Sequence, residues 1–405
     1  MTADRRTLEQ LRAQARQARE TGDYSQAARL ERQAVDRAEF LGLAGERTRA
    51  LLWEGYSLRQ AGEDDLALAA LLQAANERSG AADPADVFGA LTTIVHISLD
   101  RKPLRFCRAL LDQARDYLAD IRRPWAAPLD FLEGELAYRR GEFAAAWDWH
   151  SRAWVGWRDE HPRLTPATHL WALCRAAFRR RDPVDLTRLV ERLAALHPSP
   201  VLERQMAQRA GLLLWRARRD SDRPDADSTI ESALTLLAAT ASGRRDAFGA
   251  RHEALRVLAL AGRWEEVDEA LARHPLESVG SFENTLLLGD LALNRARAAL
   301  GLPAADDDYD EPMTDTANPG IASRSSPAAI DELREAGRRY RAARQSADAR
   351  DDQLETGWHA STVERRQHLL DAVIRESESP EMHQEAGTAT ATAARGRPDV
   401  SPPTG

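Results

Sequence analysis

The chain has 405 residues, of which 43% are hydrophobic and 30% charged, and its net charge is −8. That length suits two or three compact domains or one long repeat array, and the apolar content can fill a sizeable core. No run of eighteen apolar residues occurs and the opening MTADRRTLEQLRAQARQ has no apolar segment, which argues against a membrane span and a secretory signal and for a cytoplasmic protein.

The first element expected is a helix over 5–21, closed by Gly22 in TGDYSQA and followed by a helix over 24–41. The next stretch, Glu46–Ser79, shows the unit most clearly. It predicts helices over 46–61 and 64–78, folded against each other at Ala61-Gly62-Glu63-Asp64. Gly55 lies seven residues before Gly62, Ala67 five after it and Ala74 twelve after it, the small residues that two close helix axes need. Turn glycines recur at Gly141 (RGEFAAA), Gly262 (AGRWEEV) and Gly301 (LGLPAAD), and the gaps from Gly22 onward are 40, 79, 121 and 39. These are one, two, three and one units of about 40 residues. The intervening breaks fall at Arg101-Lys102-Pro103, Arg181-Asp182-Pro183 and Asp220-Ser221-Asp222-Arg223-Pro224, where proline supplies the restart. First helices are then expected near 84–100, 125–140, 166–181, 201–219, 246–261 and 281–300, and second helices near 103–121, 143–159, 184–196, 227–241 and 264–273.

The apolar spacing supports this. Leu104, Cys107, Leu110, Leu111, Ala114 and Leu118 make one helical face, and Leu186, Leu189, Val190, Leu193 and Leu196 another. No segment alternates with period two for long enough to argue for a strand. His161-Pro162, His197-Pro198 and His274-Pro275 read as helix stops rather than metal ligands. Cys107 and Cys174 fall inside apolar patterns and read as buried reduced thiols.

The unit resembles the tetratricopeptide repeat. The resemblance lies in Trp53, Gly55, Gly62, Ala67, Leu71 and Ala74, again in Gly134, Gly141, Ala146 and Ala153, and in Ala15, Gly22, Ala27 and Ala34. It covers Arg6 to Leu302, with a period near 40 where the family's usual one is 34, and the third, sixth and seventh units keep little of the signature. Long-period variants are similar to helical sensor and regulatory modules of bacterial signalling proteins. The resemblance implies an all-α fold: a right-handed α-solenoid of antiparallel hairpins over 1–302, each leaning on its neighbours and leaving a concave wall free.

Residues 303–327 are acidic and then rich in Ser, Pro and Gly, and are expected to form an exposed linker. Two further helices, over 328–350 and 353–376, read as a capping pair, and 377–405 as a disordered tail.

No nucleotide-binding, nucleophile-elbow, zinc-protease or CxxC motif occurs, so no enzymatic activity, cofactor or metal is expected. The run Asp306–Glu311 lacks the spacing of a calcium loop and reads as a solvated acidic loop. Two features point to binding. Seven of the ten tryptophans fall between Trp125 and Trp215, and Arg163 to Arg219 carries 12 arginines against four acids. In proteins of the family it resembles, the first helix of each unit lines the groove. Carried over by distance from each turn, this puts Tyr138, Arg139, Trp171, Arg175, Arg179, Arg209 and Arg216 on the inner wall, with Tyr56, Arg59, Phe131, His252 and Arg256. An arginine ladder interleaved with aromatics suits an anionic, extended partner, because guanidinium pairs carboxylates in a bidentate fork. The expectation is a non-enzymatic scaffold or adaptor for an acidic peptide or protein segment. A nucleic-acid-associated or signal-sensing regulator using 163–219 is the alternative. Reversing Arg175 and Arg179 to Glu is expected to abolish capture and leave folding unchanged. A further expectation is internal control: the acidic loop 306–311 docks on the arginine wall and blocks it, so that deleting Asp306–Glu311 raises affinity.

Overall fold

The structure, a computed structural model, describes residues 2–77, 81–99, 102–121, 125–157, 165–196, 201–218, 226–239, 245–276, 282–306 and 327–378. Among them it is all-α, with seventeen helices and no strand: α1 (Thr2–Thr21), α2 (Tyr24–Phe40), α3 (Ala44–Gln60), α4 (Asp64–Ala75), α5 (Pro84–Ser98), α6 (Leu104–Ile121), α7 (Ala127–Arg139), α8 (Phe143–Gly156), α9 (Pro166–Arg179), α10 (Pro183–Ala195), α11 (Val201–Ala217), α12 (Ala226–Ala239), α13 (Arg245–Leu260), α14 (Trp264–Arg273), α15 (Phe282–Ala299), α16 (Pro327–Leu354) and α17 (Trp358–Glu378).

Local chemistry sets the ends of these helices. The side chains of Asp23, Asp83, Thr165 and Asp182 accept hydrogen bonds from main-chain N–H groups of the first turns of α2, α5, α9 and α10. Pro84, Pro166 and Pro183 open three of them, where no N–H is needed. One turn then closes helix after helix. Gly22, Gly62, Gly141, Gly262 and Gly301 all have left-handed backbone, with φ from +74° to +87°. The N–H after each glycine reaches back over the turn, as Glu63 does to the Leu58 carbonyl at 2.9 Å and Glu142 to Ala137 at 3.0 Å. The break expected at 181–183 is the same turn without glycine. Arg181 takes φ +57°, and Asp182 N–H donates to the Ala177 carbonyl at 3.0 Å.

From α1 to α14 each helix packs on the next, and α3, α5, α7, α9, α11, α13 and α15 also touch in succession. The core is accordingly a string of clusters, from Leu8–Leu136 through Ala167–Leu213 and Leu212–Leu291 to Phe282–Val373. Small residues allow the close approach. A Cβ on Gly55 would run into the Leu71 side chain and the Ala67 carbonyl, and one on Gly134 into the His150 ring.

The chain departs from units that lean only on their neighbours. α3 touches α13. The pair α16–α17, expected as an end cap, lies along α15 and sends its turn back to the α7–α8 turn. There Thr356 Oγ1 donates to the Arg140 carbonyl at 3.0 Å, and Trp358 packs on Gly141 and edge-on to Phe143 at 5.6 Å. Buried polar groups hold the pair on α15. Asp290 of α15 is buried and collects Arg366 of α17 at 2.7 and 3.2 Å and the Tyr340 hydroxyl of α16 at 3.1 Å. Residues 303–306, expected as exposed linker, are held against the helices, as described below. The remainder of the expected linker, 307–326, and the tail 379–405 lie outside the described residues.

Candidate functional site

Glu135 is the centre of the candidate site. It is buried on the side of α7 that meets α9. Its Oε2 accepts from Arg139 Nη1, one helical turn on, at 2.8 Å, and its Oε1 accepts from Arg175 Nη2 of α9. His150 Nε2 of α8 is 3.6 Å away. Burial pushes the Glu135 carboxyl up, but the Arg175 and Arg139 guanidiniums outweigh it and hold the group well below the usual carboxylate range.

Aromatic rings fix the guanidiniums from the other side. Arg175 lies 4.7 Å over the Tyr138 ring and 5.7 Å from Trp171, and Arg209 of α11 lies 4.4 Å from Trp171. Tyr138, Arg139, Trp171, Arg175 and Arg209 thus form one contiguous cluster across α7, α9 and α11. Arg179 stands at its edge, 5.8 Å over Phe143 and 6.0 Å over Trp358. Trp171 itself is a core residue, 7% exposed.

Arg216 follows Arg209 by two turns of α11 and is sealed. It is 1% exposed. Its Nε and Nη2 both reach Asp306 carboxylate oxygens at 2.7 Å, its Nη1 pairs with Glu253 of α13, and its face lies 4.7 Å from Phe178. The expected docking of the acidic run on the arginine wall is seen for Asp306, while Asp307–Glu311 lie outside the described residues. Arg256, another expected inner residue, pairs with Asp290 at 3.3 Å, and His252 Nε2 meets Asn284 Oδ1 at 2.6 Å.

The tryptophans are held by the chain's own cations. Guanidiniums of Arg152, Arg180, Arg192 and Arg295 lie over Trp149, Trp147, Trp154 and Trp264 at 4.3, 4.8, 5.1 and 5.1 Å. Trp154 and Trp157 stack at 6.2 Å and face His169. The basic block 163–219 is therefore divided: Arg175 and Arg209 serve the Trp171 cluster, while Arg180 and Arg192 cover other rings.

His150 and His169 are both buried beside Phe131, at 5.2 and 5.5 Å, with no ring nitrogen of either hydrogen-bonded. Burial pushes both down to about 4, so both are neutral at pH 7. Among the described residues no group of His, Cys, Asp and Glu is placed to hold a metal. Cys107 and Cys174 are buried free thiols, and burial pushes Cys174 up to about 12, which keeps it protonated and unreactive.

Sequence reasoning missed Glu135, Asn294, Arg297 and Trp358. Glu135 stands four residues before Arg139, a spacing that signals a pair. Nothing local marks the other three. No protein-family model matches this chain, and no curated protein matches it. The meaning of the site rests on what its side chains can bind: guanidiniums preorganised on aromatic faces, one of them already holding a carboxylate in a two-pronged grip.

Proposed function

We propose that this chain is a non-enzymatic, cytoplasmic protein–protein interaction module, a tetratricopeptide-like α-solenoid that holds an acidic, extended segment against its arginine and aromatic wall. The repeated glycine turns at about 40-residue spacing and the successive contacts of alternate helices support the solenoid. One observation carries the partner chemistry. Asp306, in the non-helical residues 302–306, lies in the bidentate fork of Arg216. The wall accepts a carboxylate from an extended chain, and Arg175, Arg179 and Arg209 continue it towards α7.

The test must spare Arg175. Its guanidinium pairs with Glu135, so Arg175→Glu would set two carboxylates together inside the fold, and the double reversal with Arg179 would confound binding with folding. Arg179→Glu alone avoids that clash with Glu135, and Arg179 lies at the edge of the cluster, over the Phe143 and Trp358 rings. An array of acidic, neutral and basic decapeptides should retain the protein on the acidic members only, and Arg179→Glu should weaken that retention about tenfold with helicity retained by circular dichroism. Equal retention on neutral peptides, or full retention by Arg179→Glu, overturns the reading. Salt-sensitive capture by duplex DNA in place of peptides would favour a nucleic-acid role.

A further inference from the structure

Residues 302–306 are held by groups on two helices that are not sequence neighbours. Arg297 Nε of α15 donates to the Pro303 carbonyl at 2.8 Å. Asn294, also on α15, pairs with both main-chain polar groups of Ala305. Its Nδ2 donates to the Ala305 carbonyl at 3.0 Å, and its Oδ1 accepts from the Ala305 N–H at 2.7 Å. One residue later Asp306 reaches Arg216 of α11, with α13 lying between the two helices in chain order. The stretch therefore crosses the wall, not merely the end of its own helix. Asn294, Arg297, Arg216 and Asp306 are each at most 6% exposed.

The chemistry of this grip is general. Two of its three contacts read only main-chain atoms, which any extended segment supplies, and the third reads a carboxylate. A cavity of about 20 Å³ beside Ala305, lined by Arg256, Leu260, Leu287 and Asp290, has room for one water and no bulky side chain. The site thus specifies a small residue followed by an aspartate. Gly301, with φ +74°, precedes the stretch. Leu302 belongs to the helices, since its N–H closes the α15 turn on the Arg297 carbonyl at 2.8 Å and its side chain packs on the Phe282–Val373 cluster, so the stretch that can leave begins at Pro303.

We infer that Pro303–Asp306 is a resident competitor: it occupies the place where a partner's extended Ala-Asp segment is read, and the partner displaces it. This rests on the reading of the wall as an acidic-segment site. An intramolecular occupant acts at an effective concentration of order millimolar, so it lowers apparent affinity without any other change.

The experiment uses the full chain and a labelled eight-residue peptide with the sequence of residues 299–306, followed by fluorescence anisotropy. A second peptide ending in Asn is the control. Asp306→Asn removes the resident carboxylate, and Ala305→Pro removes the N–H that Asn294 accepts. Both variants should bind the Asp peptide roughly tenfold or more tighter than the wild-type chain does, and should discriminate against the Asn peptide. Equal affinity of wild type and both variants overturns the competitor, and the acidic-segment reading still stands if Arg179→Glu weakens array retention. No binding of the Asp peptide to any of the three also overturns it. Loss of helicity in both variants, read by circular dichroism, overturns it as well, since the stretch would then be a structural strap.

Discussion

Glu54 and Glu135 flank the same position in two different units and end in opposite electrostatic states. Gly55 and Gly134 each lie seven residues before a turn glycine, Gly62 and Gly141. Glu54 comes just before its packing glycine and Glu135 just after. Two helical steps rotate the side chain by about 200°, so Glu54 faces back to Arg32 of α2 and Glu135 faces forward to Arg175 of α9. Arg32 is alone and 46% exposed, and burial pushes the Glu54 carboxyl up to about 7 in spite of it. Glu135 has two guanidiniums and burial loses. Burial does not decide the charge of a carboxyl by itself; the number of desolvated cations facing it does.

The largest expected effect tests that contrast directly. Glu135→Gln leaves Arg139 and Arg175 without their anion inside the fold. Breaking a buried pair from one side costs about 3–5 kcal/mol. Glu54→Gln removes a carboxyl that burial already neutralises in part, and should cost under about 1 kcal/mol at pH 7. Urea unfolding of both variants measures this. Similar losses for the two would break the comparison.

Acidity sharpens it, because the two regions respond with opposite signs. Glu54 has a raised folded value, so its unfolded form ionises first. Its contribution is present below the ordinary value of 4.5 and lost as pH rises through about 7. His169 is the reverse. The unfolded ring takes its proton near 6.5 and the folded ring only near 4. Stability is therefore intact above 6.5 and lost as pH falls towards 4, by up to about 3 kcal/mol for a shift of this size. His169→Phe keeps an aromatic ring among Phe131, Trp154 and Trp157 and cannot take the proton. It should remove about one proton from the acid limb of the stability profile and leave Glu54's limb untouched. An unchanged acid limb would mean that His169 does not titrate in this window.

Helix boundaries were legible because their causes are local. Glycines with positive φ, capping aspartates and first-turn prolines lie within a few residues of every end they set, and the first fifteen helices fall within one turn of their expected limits. The single larger miss is the start of α17. Asp351-Asp352 looks like a break, yet α16 runs on to Leu354. Asp351 instead accepts N–H groups of His359 at 3.0 Å and Ala360 at 2.7 Å, the first turn of the next helix. Of the candidate site, the arginine and aromatic members were legible by register. Their partners were not. Glu135 and Arg175 are 40 residues apart, Arg216 and Asp306 90, and Arg140 and Thr356 216. Such meetings depend on the rotation accumulated over many helix interfaces, which no local pattern encodes. The wall reads from sequence as open for the same reason, although Asp306, Trp358 and Glu135 are already on it.

The smallest expected effect concerns the turn that returns to this region. The unit holding Glu54 closes with Gly62 at φ +87°, whereas the turn docked on Arg140 closes with Glu355 at φ +51°. Both make the same contact over the turn, from Glu63 N–H to Leu58 at 2.9 Å and from Thr356 N–H to Asp351 at 3.0 Å. A side chain in left-handed backbone costs about 1–2 kcal/mol, of which glycine recovers part and loses part to unfolded-state entropy. Glu355 is exposed, and Arg140 of the α7–α8 turn reaches the Leu354 carbonyl at 3.4 Å. Glu355→Gly should therefore stabilise the chain by about 1 kcal/mol, seen as a raised urea midpoint with an unchanged slope. A lower midpoint would mean that the glutamate holds this turn in place on α7–α8, and that the two turns, alike in backbone, are anchored by different forces.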